Sequence, residues 1–166
     1  MNLTALLLQE FKAEAATTLR VLGEIKNEIL DFSPHQKSKT VLDLANHMLL
    51  IPSWVVPILE GSEFDWAAYT PPAAMETKEA LVVQYQEYVT AAIEALEKAD
   101  DTILQEPWTM KNGDFTFFTI EKHQAIRNLV LNHTVHHRAQ MGVNLRLNDL
   151  KVPATYVSSA DENLFA

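Results

Sequence analysis

The feature that most constrains this chain is the spacing of its apolar residues, which recur at intervals of three and four rather than two. That spacing places apolar side chains on one face of a helix. Only four glycines occur among the 166 residues, so few positions favour breaks. Four segments carry the pattern: about 3–22, 41–61, 77–99 and 120–148. The sequence therefore predicts a protein built mainly from long amphipathic helices.

The connections between these segments refine the prediction. Pro52 and Pro57 fall inside the second segment and should bend or break it. Asn112-Gly113 lies between two short apolar stretches, which is a strong hairpin signal. Connectors longer than tight turns suit a bundle with a crossover. We predict an all-α fold, a four-helix bundle with a small β-hairpin insertion before the last helix, in a single domain over 1–166.

Charge and composition limit the classes of partner. Lys and Arg total 13 against 22 Asp and Glu, giving a net charge of −9, which argues against nucleic acid and anionic membranes as partners. The longest apolar run, Met48 to Leu59, is interrupted by proline and is shorter than the about 20 residues that span a bilayer. The chain has no cysteine, so His, Asp and Glu are left as metal ligands. We expect a soluble, cytoplasmic protein.

The stretch Asn132 to Gln140 contains three of the six histidines. His133 and His137 are four residues apart, so they lie about 40° apart on one helical face and are separated by roughly 6 Å of rise. Leu129 and Val130 share that face, so the pair should point inward. This spacing suits two imidazoles that bind one metal ion. The alternative is that both are ordinary hydrogen-bonded histidines of the core or the helix surface.

His47 is a third candidate, on the second predicted helix. It lies on the apolar face between Leu44 and Ile51, where a hydrophobic residue would be expected. A third inward imidazole from a facing helix would complete a three-histidine set, which binds zinc-like divalent metals and leaves coordination positions open. Asp43, one turn earlier, either orients an imidazole or caps the helix behind Thr40.

Several other residues near these histidines are expected to lie outside the site. His123 and His136 point away from the face of the pair, and His35 lies in a connector. Arg138 also projects away from the pair and is expected in a salt bridge or an interface. Trp54 is seven residues after His47 and is expected either in the core or as one wall of a pocket.

Three segments of the chain resemble a known family. They read D-F-S-P-H-Q-K-S, D-L-A-N-H-M-L-L-I-P-S-W and N-H-T-V-H-H-R-A-Q-M-G-V-N-L-R-L-N-D-L-K-V-P-A-T-Y. Through them the chain resembles the DinB/YfiT-like family of metal-dependent helix-bundle proteins over nearly its whole length. In that family an N-H-x-x-H-H-R-G-Q signature on the last helix supplies two metal ligands and the second helix supplies a third. The resemblance implies that His133, His137 and His47 are those ligands.

The sequence departs from the family pattern in two places. Ala139 stands where relatives have glycine, a change that suits a helix interior and touches no ligand. Val157 and Ser158 replace the Gly-Pro of the common Y-G-P-S-A-D-E tail, which affects the local turn rather than the three histidines.

The family resemblance also implies a function. Some relatives are transferases or isomerases that use a low-molecular-weight thiol such as bacillithiol or mycothiol. We therefore expect a thiol S-transferase acting on a small-molecule substrate with one divalent metal ion, zinc or nickel, with iron or manganese as alternatives. A metal-dependent hydrolase, a non-enzymatic metal-binding or sensing module, and a purely structural bundle remain alternatives. The sequence identifies no catalytic base, since no H-E-x-x-H spacing occurs. We also expect a homodimer.

Overall fold

The computed structural model describes residues 2–165 and consists of helices packed beside a small sheet. The α-helices are α1 (Leu3–Gly23), α2 (Val41–Leu50), α3 (Val55–Glu60), α4 (Lys78–Lys98), α5 (Asp101–Leu104), α6 (Lys122–Ala125) and α7 (His133–Leu147). Two segments, Asn27–Ile29 and Ile51–Trp54, are 3-10 helices, and Ile126–Asn132 is a π-helix. Because α2 continues into α3 and α6 into α7, four long helical segments result. The predicted mainly helical bundle is confirmed.

The second long segment changes helix type at its proline. α2 ends at Leu50, and Pro52 lies in the first turn of the 3-10 helix that follows. Proline cannot donate an amide hydrogen bond and crowds the preceding turn, so the chain cannot continue as a regular α-helix there. The span Val41–Glu60 has a mean hydropathy of 1.4, but half of its most apolar window is buried inside the fold. Much of the segment therefore packs into the core of the bundle.

Polar side chains cap the helix N-termini. Thr40 Oγ1 accepts a hydrogen bond from the Asp43 amide at 3.1 Å, and Thr77 Oγ1 accepts one from the Ala80 amide at 3.3 Å. Such caps satisfy amides that have no partner within the helix. The Asp43 side chain itself is exposed, so this residue belongs to the helix start rather than to the histidines.

The sheet has three strands: β1 (Glu63–Asp65), β2 (Pro107–Asn112) and β3 (Phe115–Glu121). β2 pairs parallel with β1 and antiparallel with β3. Gly113 has a φ of 58°, the left-handed conformation that glycine adopts without strain, in the turn between β2 and β3. β1 was not predicted, because three residues show no readable alternation.

The start of the last helix was predicted wrongly. We expected it directly after Thr119, but Ile120 and Glu121 pair with Trp108 and Pro107 at the end of the sheet. The helix begins at Lys122, where Glu121 is the N-cap residue. Pairing with the preceding strand of the hairpin, β2, therefore overrides the local helical pattern over these residues.

The core divides into two clusters along the bundle. One contains Trp108 with residues of α1, α3 and the π-helix; the other contains residues of α2, the end of α1, the start of α4 and the end of α7. On the second long segment the clusters meet between Met48 and Ile51, and on the last they meet between Leu131 and Met141. The histidines predicted to bind metal lie close to this boundary.

Arginines fix the C-terminal tail to the bundle. Arg138 Nη2 lies 2.6 Å from Glu14 Oε2 of α1 and 2.6 Å from the Tyr156 hydroxyl of the tail. Arg146 pairs with Asp161 at 2.5 Å. Arg20 of α1 pairs in the same way with Glu162. The expectation that Arg138 forms a salt bridge is confirmed.

Candidate metal centre

The structure brings together the three histidines that the sequence singled out. His47 lies on α2, His133 is the first residue of α7, and His137 lies one turn later. His133 Nε2 is 3.1 Å from His47 Nε2 and 2.8 Å from His137 Nε2. One nitrogen from each ring lies within 4.8 Å of the other two, and each side chain is partly buried. Facing helices thus converge three imidazole nitrogens on one point.

The opposite edges of two rings have hydrogen-bond acceptors. His133 Nδ1 lies 3.3 Å from the Leu129 carbonyl oxygen, and His137 Nδ1 lies 2.7 Å from Gln140 Oε1. An acceptor there requires Nδ1 to carry the proton, so in each neutral ring the lone pair is on Nε2. Two such lone pairs 2.8 Å apart repel each other unless a cation or a proton lies between them. Outer acceptors of this kind orient histidines that bind metals.

Burial keeps the three rings neutral. The pKa of His47 is lowered from its ordinary 6.5 to about 4. Burial is the largest cause, followed by repulsion from the positive charge that His137, His133 and Lys39 carry when protonated. Burial is also the largest cause that lowers the pKa of His133 and of His137. Imidazole must be deprotonated to bind a metal, so at neutral pH the cluster is in its binding form.

The donor set fits a divalent transition metal. Imidazole nitrogen suits zinc, nickel and iron, and three protein ligands leave coordination positions for water or substrate. Within residues 2–165, no carboxylate joins the three-histidine cluster. The cluster is therefore a candidate metal site formed by three imidazoles.

A π-helix directly before His133 sets the position of that ring. In a regular α-helix the Leu129 carbonyl would accept from the His133 amide. Here the His133 amide is bonded to the Val130 carbonyl, and the Leu129 carbonyl faces the His133 imidazole instead. π-Helical turns often occur at functional sites. The sequence showed no signal for this segment, because its apolar spacing is compatible with an ordinary helix.

Space around the cluster is unequal on its two sides. Trp54 lies beside His133 and His47, with ring centroids 5.5 and 6.1 Å away, and it lines an apolar cavity of about 20 Å³. A larger cleft of about 410 Å³ opens beside His137. That cleft is lined by Gln140 and Asn144 of α7 and by the connector that precedes α2. Trp54 packs against the core and also walls the smaller cavity, so both expectations for this residue hold, whereas the larger space lies beside His137.

The remaining histidines lie outside the cluster. His123 Nδ1 contacts the Leu104 carbonyl at 3.2 Å, and His35 Nδ1 accepts from the Lys37 amide at 3.1 Å. His136 is exposed, and its Nε2 lies 3.1 Å from Gln140 Nε2. Gln140 thereby connects His136 to His137. Sequence spacing did not reveal this role of Gln140, although its position on the histidine face was visible.

Comparison with known proteins places this chain in a family. The model of the DinB family matches residues 1–163. No curated protein matches the chain. Among solved structures, a DinB-like protein from Bacillus cereus has a TM-score of 0.71 and 24% identity, covering 90% of this chain and 95% of that one. The DinB-like protein YjoA from Bacillus subtilis has a TM-score of 0.69 and 16% identity, covering 90% and 96%.

A further structural neighbour is YfiT from Bacillus subtilis, described as a probable metal-dependent hydrolase with an unusual four-helix bundle topology. It has a TM-score of 0.66 and 14% identity, covering 88% of this chain and 87% of YfiT. At these identities the structural matches show the common fold, whereas the family model covers almost the whole sequence. The chain belongs to the DinB family.

Proposed function

We propose that this protein is a metal-dependent enzyme of the thiol S-transferase type, in which His47, His133 and His137 hold one divalent ion. The observation that carries the proposal is the convergence of three Nε2 atoms while two of the rings donate through Nδ1 to fixed acceptors. That arrangement leaves unshared lone pairs directed at a common point, which is the requirement for binding a cation.

Access to the centre favours catalysis over storage of a metal. The cleft beside His137 has a volume of about 410 Å³, within the range of about 300–1,000 Å³ that is usual for small-molecule sites. The cavity on the Trp54 side, about 20 Å³, has room for little more than one water. We infer that the substrate enters beside His137 and that Trp54 excludes water from the opposite side.

Among residues 2–165 no carboxylate joins the cluster, and this bears on the type of reaction. A bound divalent ion would supply positive charge that favours the ionised form of a thiol or of water. A nucleophile ionised in this way has no need of a neighbouring Glu as base, and a thiol ionises more readily than water. The roles of the chain are then to hold the ion, to orient the imidazoles through Leu129 and Gln140, and to admit the thiol and its electrophile from the cleft.

Hydrolysis is the second candidate function. It is supported by the description of the structural neighbour YfiT as a probable metal-dependent hydrolase. The same three imidazoles would serve either reaction, and the two differ in whether a thiol or water is the nucleophile.

Metal content tests the centre itself. Wild type, H47A and H133A would be exposed to zinc, nickel, manganese or iron, dialysed and analysed by inductively coupled plasma mass spectrometry. We expect about one metal per chain in the wild type and none in either variant. H136A is the matched control, since His136 is an exposed neighbour of the site, and it should keep its metal. A wild type that retains none of these metals would contradict the proposal.

Activity separates the two reactions. The metal-loaded protein would be given cysteine with an alkylating electrophile, and separately an activated ester without thiol. We expect thiol consumption that H133A abolishes and H136A retains. If the protein hydrolyses the ester but does not consume the thiol, it is a hydrolase and not a transferase. If the metal-loaded wild type shows neither activity, only a metal-binding role is left.

A further inference from the structure

The cleft beside His137 is closed on one side by a rigid connector. Ser33 Oγ donates to the His35 carbonyl at 2.7 Å, and the Ser38 amide donates to the same carbonyl at 2.8 Å. At its ends, the Val41 amide donates to the Phe32 carbonyl at 2.9 Å. These bonds hold the connector in one conformation. The backbone that carries the cleft-lining side chains therefore needs no rearrangement when a ligand binds.

Two lysines of this connector line the cleft, and neither is paired with another described residue. Lys37 and Lys39 lie at its edge, and the part of the chain that the structure describes places no Asp or Glu in its lining. Among residues 2–165, neither ammonium group takes part in a salt bridge. The whole chain carries 22 acidic residues against 13 Lys and Arg. A cleft lined only by positive charge is therefore a local reversal of the overall charge.

Lys39 lines the same cleft as one histidine of the cluster. That histidine is His137, whose Nε2 lies 2.8 Å from His133 Nε2. An anionic group held by Lys39 would consequently lie beside the ring nitrogens that converge on the metal position.

The opposite wall of the cleft contains an unpaired acceptor. Asn144 is 3% exposed and lines the cleft, and its Nδ2 donates to the Gln140 carbonyl at 3.2 Å. That bond fixes the amide orientation, and Asn144 Oδ1 is buried without a partner among the described residues. A buried amide oxygen that lacks a donor is costly, so native structures normally satisfy it. A ligand hydroxyl or amine in the cleft would supply the missing donor.

We propose that the cleft between the 34–39 connector and α7 is a recognition subsite for a small molecule that carries a carboxylate or phosphate together with a hydroxyl or amine. Lys37 and Lys39 bind the anionic group, and Asn144 Oδ1 accepts from the hydroxyl or amine. The identification of this molecule as the substrate or the thiol of the reaction rests on the proposed function. The existence of the subsite does not depend on the proposed function.

Titration of the full-length protein by NMR at low ionic strength tests the subsite. Lactate, propionate and inorganic phosphate would be the probes, with the side-chain amides of Asn144 and Gln140 as reporters. Each titration would be made with zinc-loaded protein and again after chelation. In the chelated protein, binding reports on the lysines and Asn144 alone, so failure of the metal centre and failure of the subsite are distinguished.

We expect saturable binding that persists in H133A, that weakens about fivefold in K39M, and that is unchanged in K26M, where the lysine is exposed and distant in sequence. Lactate should bind more tightly than propionate, and N144L should remove that difference. Preference for phosphate over lactate would identify the anion as a phosphate group, and the reverse as a carboxylate. No saturable binding, or equal affinities for wild type and K39M, would overturn the proposal.

Discussion

His137 and Arg138 are neighbours in the sequence, but they belong to two polar clusters with opposite requirements. The Arg138 guanidinium is buried and bonded to the Glu14 carboxylate, to Thr18 Oγ1 at 3.2 Å and to the Tyr156 hydroxyl at 2.6 Å. Its charge is thus neutralised and bonded within the chain. The His137 Nε2, in contrast, faces another imidazole nitrogen at 2.8 Å. The charge of the first cluster is compensated within the chain, whereas the second cluster presents nitrogen lone pairs that a cation would bind.

This difference separates structure from function on a single helix. A buried charge that has its partners ties α1, α7 and the tail together, and removing one partner leaves the other uncompensated. Neutral rings whose lone pairs face one another contribute little to the fold without an ion. We therefore expect changes in the arginine cluster to alter stability and changes in the histidine cluster to alter metal binding.

The largest effect should follow from Arg138→Met. Because Glu14 would be left without its buried partner, we expect a loss of about 3–5 kcal/mol in the free energy of unfolding. Denaturant titration measures it, and metal content should remain near the wild-type value while the protein is folded. R146M is the matched control, since the partly exposed Arg146–Asp161 pair should cost at most about 1 kcal/mol. Equal losses in both variants would remove the distinction between the clusters.

A smaller effect, on metal affinity, should follow from Gln140→Leu. Without the Oε1 acceptor, the His137 ring loses the bond that fixes its Nδ1 proton and its orientation. Loss of such an outer partner typically weakens metal affinity about 10–100-fold. Competition with a chromogenic chelator measures the change, and H136A should bind as the wild type does. If Q140L binds metal as tightly as the wild type, the ring is oriented by something other than Gln140.

The smallest effect is the pH dependence of the metal-free protein. Folding lowers the pKa of His47 from 6.5 to about 4. Between these two pH values, the unfolded chain therefore binds more protons than the folded chain. The contribution to stability is therefore complete above pH 6.5 and is lost as the pH falls towards 4. Partial exposure of the rings keeps it modest. Denaturant unfolding of wild type and H47Q, in the presence of chelator, measures the free energy of unfolding at each pH. That free energy should depend less on pH in H47Q, and identical pH dependence in the two proteins would contradict the prediction.

Helix periodicity and local chemistry allowed much of the fold to be predicted. The spacing of apolar residues located the long helices, Thr40 and Thr77 lie at the N-caps of α2 and α4, and Pro52 marks the change of helix type. Each of these depends on residues within one or two turns of each other, so the sequence carries the whole signal. The inward direction of His47, His133 and His137 followed from the same helical geometry.

Features that depend on distant residues could not be predicted. No sequence pattern indicates β1 or the π-helix before His133. The partners of Arg138 lie on α1 and in the tail, and the cleft requires the connector to pack against α7.

The sequence by itself determined a helical bundle with three inward histidines, because a helix repeats every 3.6 residues and its faces can be read locally. Only the tertiary structure decided that the three imidazole nitrogens meet, that Gln140 and the Leu129 carbonyl orient two of them, and that unpaired lysines line the adjoining cleft. Those outcomes depend on how segments up to about a hundred residues apart are packed, and packing is a property of the whole core rather than of any one segment.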